Sequence, residues 1–184
     1  MAFFYFDFRD EEKKQDLRNF VTSLVCQLAA YSSECCEIIS QIYSTHGKGT
    51  QQPSNSALTN CLREMLSVSA EHPIYIIIDA LDECPDSSEI PTPREAVLKL
   101  LEDLVRLSIP NLHICVTSRP EVDIRDALDP LASMTVSLHD ESGQMKDISN
   151  YVTNAVYSDK KMQRWRGDQK ELVIEELSEK ADGM

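Results

Sequence analysis

The run Ile74-Tyr75-Ile76-Ile77-Ile78, followed at once by Asp79-Ala80-Leu81-Asp82-Glu83-Cys84-Pro85, constrains the fold more than any other feature of the sequence. A continuous β-branched run has the pattern of a strand buried on both faces of a parallel sheet. Leu112 to Val116 repeats it and ends in Thr117-Ser118-Arg119-Pro120. The opening FFYFDF, with Phe3, Tyr5 and Phe8, reads as another largely buried strand. Helical spacing separates these strands: Leu17, Phe20, Val21, Leu24 and Leu28, then a short helix around Ser33 to Tyr43. Leu58, Cys61, Leu62, Met65 and Leu66 mark a third helix, and Val97, Leu100, Leu101, Leu104 and Val105 a fourth. His46 to Asn55 is a loop. A short helix near Val122 to Leu128 and a weak strand near Met134 to Leu138 follow. Gln144 to Met184 reads as helices, the last bearing Leu172, Val173 and Leu177. Strands joined by helical crossovers predict a three-layer α/β parallel sheet.

Charge narrows the class of function. The 184 residues hold 18 Lys and Arg against 31 Asp and Glu, a net charge of −13. A sequence-independent nucleic-acid binder needs a basic face to displace counterions, and an anionic membrane attracts basic segments, so neither partner is expected. The longest apolar runs are too short to span a bilayer, and no signal peptide is read at the amino end. Six cysteines carry no zinc-ligand spacing, and four lie in apolar-periodic segments where a thiol behaves as a small hydrophobe. The expectation is a soluble cytoplasmic chain with free thiols.

In an open parallel sheet, ligands bind beyond the carboxyl ends of the strands. Two predicted strands end there in polar groups: Asp79 with Asp82 and Glu83, and Thr117, Ser118 and Arg119. Were the strands neighbours, carboxylates and a guanidinium would face one crevice, as a nucleoside triphosphate site requires. A strand-end carboxylate can hold Mg²⁺ through water. A second acid can orient the attacking water, and an arginine can neutralise charge on the phosphoryl group. Four apolar residues, Asp, two residues and Asp-Glu match the acidic second motif of P-loop NTPases. The plainer alternative is a core strand followed by a solvated acidic turn.

YIIIDALDEC, LHICVTSRPEVDIR, FFYFDFRD, VSLHDESGQ and LSEKADGM together resemble fungal NACHT proteins, which are signal-transduction NTPases with numerous domains. The NTPase module at the amino end of nephrocystin-type proteins is the same kind of unit. The resemblance implies Asp79 as the Mg²⁺-linked acid, Asp82 and Glu83 as the pair beside the attacking water, and Arg119, with Thr117 and Ser118, at the γ-phosphate. It implies ATP or GTP with Mg²⁺ as cofactors of the complete module. It also implies ankyrin or WD repeats on the carboxyl side and an effector domain on the amino side as partners in a longer protein.

The phosphate cradle of such enzymes, G-x-x-x-x-G-K-[ST], does not occur in the sequence. Gly47-Lys48-Gly49-Thr50 lacks a glycine five positions before Gly47, where Ile42 stands, and lacks Ser or Thr directly after the lysine; it reads as a solvated turn. The expectation is therefore a truncated NTPase core over residues 1–140, lacking its first strand, P-loop and first helix, with a helical segment beginning over 141–184. Such a chain would bind no nucleotide, would leave Leu112 to Val116 with an open edge, and could self-associate. The alternative function is a non-catalytic interaction module or gene remnant. A cysteine hydrolase built on Cys84 or Cys115 lacks a nucleophile-elbow context.

Overall fold

The computed structural model describes residues 1–10, 15–69, 71–86, 90–137 and 142–180. Its strands are β1 (Ala2–Tyr5), β2 (Ile74–Asp79) and β3 (Leu112–Val116), all parallel and ordered β1-β2-β3. The register sets Ala2 beside Ile76 and Tyr5 beside Asp79, and Ile74 beside Leu112 and Ile78 beside Val116. All three carboxyl ends therefore lie along one edge of the sheet.

Seven α-helices are formed among the described residues. Between β1 and β2 run α1 (Leu17–Ala29), α2 (Ser33–Thr45) and α3 (Asn55–Val68). Their entries are fixed by Asp16, Ser32 and Ser54, whose side chains accept first-turn N–H groups that have no partner inside a helix. Between β2 and β3 runs α4 (Pro93–Arg106), opened by a capping box of Thr92 and Glu95 with Pro93 as its first residue. Gly47-Lys48-Gly49 forms a 3₁₀ turn after α2, with φ of +63°, +53° and +87°. It is the turn the sequence predicts, and it follows a helix rather than a strand.

The core lies on one face of the sheet. Ala2, Phe4 and Phe6 and the even residues of β2, Ile74, Ile76 and Ile78, join Phe20, Leu24, Leu62, Met65, Leu101 and Leu104 in one buried cluster. Phe4 meets Phe6 and Phe20 edge-on, with ring centroids 5.0 and 5.3 Å apart. The opposite face is open: Phe3, Tyr5 and Tyr75 are 53%, 46% and 49% exposed, and Cys115 is exposed beside them. Tyr75 stacks on His113 there, centroids 4.9 Å apart.

This corrects the expectation of strands buried on both faces of a three-layer sheet. The described residues of this unit give two layers, and the helices share the one apolar cluster. In β1 and the segment that follows it the buried aromatics are Phe4 and Phe6, while Phe3, Tyr5 and Phe8 are exposed. The weak strand expected near Met134 to Leu138 does not form over 134–137, where Met134 and Val136 are exposed. An isolated extended segment has no neighbour to take its backbone hydrogen bonds. Leu138 lies outside the described residues.

The chain divides into two compact units, Met1–Ala132 and Ser133–Met184. The first ends with α5 (Val122–Leu128), whose Ile124 enters the core. In the second, α6 (Ser142–Ser158) packs against α7 (Gly167–Lys180), with Val156 buried and the Lys170 ammonium 5.1 Å from the Tyr157 ring centroid. On α7, Val173 and Ile174 are half-buried while Leu172 and Leu177 are exposed. All six cysteines are free thiols. Among the described residues no helix is long and apolar enough to cross a membrane.

Candidate functional site

Because β2 and β3 are adjacent and in register, their carboxyl ends bring Asp79 and Thr117 together. The Thr117 hydroxyl donates to Asp79 Oδ1 and accepts from the Ala80 N–H at 3.1 Å. The Thr117 carbonyl takes the Leu81 N–H at 3.0 Å. These bonds turn the chain sharply out of the sheet. Ala80 adopts the left-handed conformation, φ +53° and ψ +48°, and Leu81–Glu83 coils into a 3₁₀ turn with Leu81 buried beneath it.

That turn aims its two acids at different partners. Asp82, its side chain 10% exposed, accepts the Arg119 backbone N–H at 3.1 Å and lies 3.5 Å from the Arg119 Nε. Glu83 Oε2 accepts the Phe8 N–H at 3.1 Å, which ties the acidic turn to the segment after β1. Ser118 stands apart from the acids and donates to the Arg119 carbonyl at 2.7 Å. So Asp79 pairs with Thr117 and Asp82 with Arg119, Glu83 borders the second pair on the β1 side, and Ser118 makes no polar contact with the acids among the bonds present.

The β1 end is stapled as well. Asp7 pairs with Arg9 at 3.0 Å, and the hydrogen bond to Asp7, then its charge, raises the Arg9 guanidinium above its ordinary pKa. Gln15 Nε2 donates to the Phe8 carbonyl at 2.6 Å. An open cleft of about 360 Å³ results, lined by Phe8, Gln15, Asp82, Glu83, Arg94 and Arg119 among others. Small-molecule clefts begin at about 300 Å³.

Arg94, in the first turn of α4, belongs to this cleft and is not among the residues the sequence singles out. Its side chain is 11% exposed. Nε donates to the Cys84 carbonyl at 2.9 Å, Nη2 to the Asp82 carbonyl at 2.7 Å, and Nη1 to Asp123 Oδ2 at 3.2 Å. The signal available was positional: a guanidinium two residues after the N-cap Thr92 can reach back over the preceding loop. Beneath it the Cys84 thiol donates to the Gln15 carbonyl at 3.7 Å, and burial pushes its pKa up to about 12. Cys84 is thus a packed thiol rather than a nucleophile.

The donors present suit one part of a nucleotide site and not another. Asp79 and Thr117 offer hard oxygen at a strand end, the kind of donor Mg²⁺ takes while keeping most of its waters. Among the described residues no three His, Cys, Asp or Glu side chains are gathered to hold a metal. The Gly47–Gly49 turn has Thr50 N–H bonded back to the Gly47 carbonyl and offers no row of free N–H groups for phosphates.

The sequence model of a family described as Nephrocystin 3, N-terminal, matches residues 1–119. The match thus contains β1, the acidic turn and Arg119. No curated protein and no solved structure matches the chain.

Proposed function

The chain belongs to the nephrocystin-3 N-terminal family, and from that footing we propose that its first unit is part of a NACHT-type NTPase switch. One observation carries the reading: β2 and β3 lie side by side in register, so the acids after β2 and Thr117 and Arg119 after β3 share one edge. Asp79, backed by the Thr117 hydroxyl, would hold Mg²⁺ through water, and the ion would supply positive charge for the β- and γ-phosphate oxygens. Glu83 is the acid beside the attacking water, oriented by the Phe8 N–H, with Asp82 next to it. Arg119, its side chain 79% exposed, exchanges Asp82 for a phosphate oxygen. The exchange keeps one ion pair and moves it, which is a switch geometry.

The phosphate cradle is the part the residues do not supply. The open edge of β3 and the open face of Phe3, Tyr5 and Tyr75 fit a unit that receives another strand and a covering helix. We read the chain by itself as a weak binder of Mg²⁺-ATP and Mg²⁺-GTP, since acids repel phosphates where no cradle intervenes. In the cytoplasm of the cell the module would work within a longer protein, between an effector domain and ankyrin or WD repeats. The same open face favours a second reading, a non-catalytic module that binds protein.

Isothermal titration separates the two. A chain extended at its amino end by a NACHT-type strand, glycine-rich lysine loop and helix should bind Mg²⁺-nucleotide in the micromolar range and hydrolyse it. In that extended chain Glu83→Gln should keep the affinity and slow hydrolysis by about 10²-fold or more, since the amide cannot take up a proton. Asp79→Ala should weaken the Mg²⁺-dependent part of binding. Hydrolysis at the parental rate in Glu83→Gln removes Glu83 from the water, and saturable micromolar binding by the unextended chain overturns the missing cradle.

A further inference from the structure

The Arg94 side chain makes directed bonds to three residues at this site, and none of them is to a group that could react. Two go to backbone carbonyls, those of Asp82 and Cys84, which bracket Glu83 in the acidic turn. The Arg94 N–H adds a third backbone bond, to the Pro85 carbonyl at 3.1 Å. The remaining guanidinium nitrogen reaches Asp123 on α5, at 3.2 and 3.4 Å from its two oxygens. Asp123 lies four residues after Arg119, and Glu121, the N-cap residue of α5, donates its N–H to the Arg119 carbonyl at 2.8 Å.

A guanidinium is a rigid planar fork, so its bonds to two carbonyls and one carboxylate hold those groups in fixed relation. A lysine at this place would be a point charge with no such geometry. Through that fork α5, which begins three residues after Arg119, is joined to the backbone that carries Asp82 and Glu83. The two carbonyls would otherwise stand over a half-buried loop without donors, and leaving such groups unpaired is costly.

We propose that Arg94 is the positioning residue of this site, linking α5 through Asp123 to the acidic turn so that displacement of α5 is transmitted to Asp82 and Glu83. The proposal takes from the preceding section only that those two acids are the working end of the site. A conformational signal arriving on the carboxyl side of Arg119 then reaches the acids by two routes: the Arg119–Asp82 pair, whose arginine is exposed and exchangeable, and the Arg94 fork, whose side chain is 11% exposed. The first responds to a ligand and the second reports the position of α5.

Cys84 is the reporter, because its carbonyl is one of the two the fork holds and its thiol is buried below. The rate of its alkylation by iodoacetamide, resolved from the other cysteines by mass spectrometry, reads local opening of the turn. Cys61 on α3, buried and away from the fork, is the control. Arg94→Gln should raise Cys84 alkylation about tenfold, which corresponds to about 1.4 kcal/mol of local opening, with Cys61 unchanged. Arg94→Lys, which keeps charge without the fork, should fall between. Asp123→Asn touches neither Cys84 nor the turn, yet should raise the Cys84 rate several-fold, and combining it with Arg94→Gln should add nothing.

If Cys61 accelerates in step with Cys84, Arg94 merely stabilises the fold and the proposal fails. If Asp123→Asn leaves Cys84 at the parental rate, α5 is not coupled and the proposal fails on that count. Should Arg94→Gln not fold, Arg94→Lys and Asp123→Asn decide it. These readings involve no nucleotide, so failure of the extended chain to bind ATP or GTP would leave them standing, and the reverse also holds.

Discussion

The two edges of the sheet are finished differently. Along β1, Gln27 of α1 turns its side-chain amide onto Phe3, accepting its N–H at 3.0 Å and donating to its carbonyl at 2.7 Å. One side chain thus imitates a neighbouring strand and closes that edge. Along β3, parallel pairing to β2 uses the odd residues, as Ile74 N–H to Asn111 and Thr117 N–H to Ile78 show at its ends. The N–H and C=O groups of Ile114 and Val116 therefore point away from β2, and no neighbouring strand among the described residues takes them. No Lys, Pro or bulge interrupts Leu112–Val116, the devices by which natural edges avoid pairing. Among the described residues, the same three strands thus carry one edge closed by a side chain and one with no neighbouring strand.

The faces repeat the contrast, and the largest effect tests it there. Phe6→Ala removes a ring from the covered face and should cost about 3–5 kcal/mol. Phe3→Ala, three residues earlier on the open face, should change stability by about 0.5 kcal/mol or less. Urea unfolding of the two variants compares them directly; equal losses would mean that the open face is covered in solution.

The edges come next. Gln27→Ala strips both bonds from Phe3 and should lower stability by about 1–3 kcal/mol, each bond contributing about 0.5–1.5. It also gives the sheet a second open edge, so its apparent mass in light scattering should rise more steeply with concentration than that of the parent. Ile114→Pro removes an N–H that serves no ladder bond and should reduce association. Association that is indifferent to both substitutions would place it somewhere other than the strand edges.

Much of this was legible in the sequence for reasons that can be named. Thr92-Pro93-Arg94-Glu95 announces the start of α4, because a capping box and a proline at the first helical position are local chemistry. The convergence of Asp79 and Thr117 followed from two apolar runs ending in polar groups. Which face would be open did not follow. In Ile74 to Ile78 every residue is apolar, so the run carries no alternation from which to read a face, and in FFYFDF five aromatics blur the parity. Arg94 escaped because its partners are mostly backbone carbonyls, which leave no trace in side-chain spacing. The strand expected at Met134 failed because a strand's stability belongs to its neighbours.

Alkali distinguishes the thiols of the covered side. Burial raises the Cys84 pKa to about 12 and the Cys61 pKa to about 11. Unfolding returns both toward the ordinary value of about 8.5. Above that value the unfolded chain binds fewer protons than the folded one, so these thiols make stability fall as pH rises. Their contribution is fully present below about pH 8.5 and is lost progressively as pH climbs through 11 and 12. Urea midpoints taken from pH 8 to 10.5 should decline, and Cys84→Ala should make the decline shallower. A pH-independent midpoint in the parent would show that the thiols are open to water.

The smallest effect belongs where the two faces meet, at the carboxyl end of β2. Ala80 holds φ +53° while its N–H bonds to the Thr117 hydroxyl and the next N–H to the Thr117 carbonyl. A left-handed alanine costs about 1–2 kcal/mol because its Cβ crowds the following carbonyl. Glycine has no such penalty, but it loses about 0.5–1 kcal/mol more backbone entropy on folding. The difference leaves Ala80→Gly neutral or stabilising by up to about 1.5 kcal/mol, opposite in sign to the usual effect of glycine. Thermal melts of the substituted chain would show it, and the Cys84 alkylation rate separates the two consequences. Strain relief with the turn intact leaves that rate unchanged. A faster rate with a higher melting temperature would mean that the strained alanine, rather than Thr117 and Arg94, is what holds the acids in place.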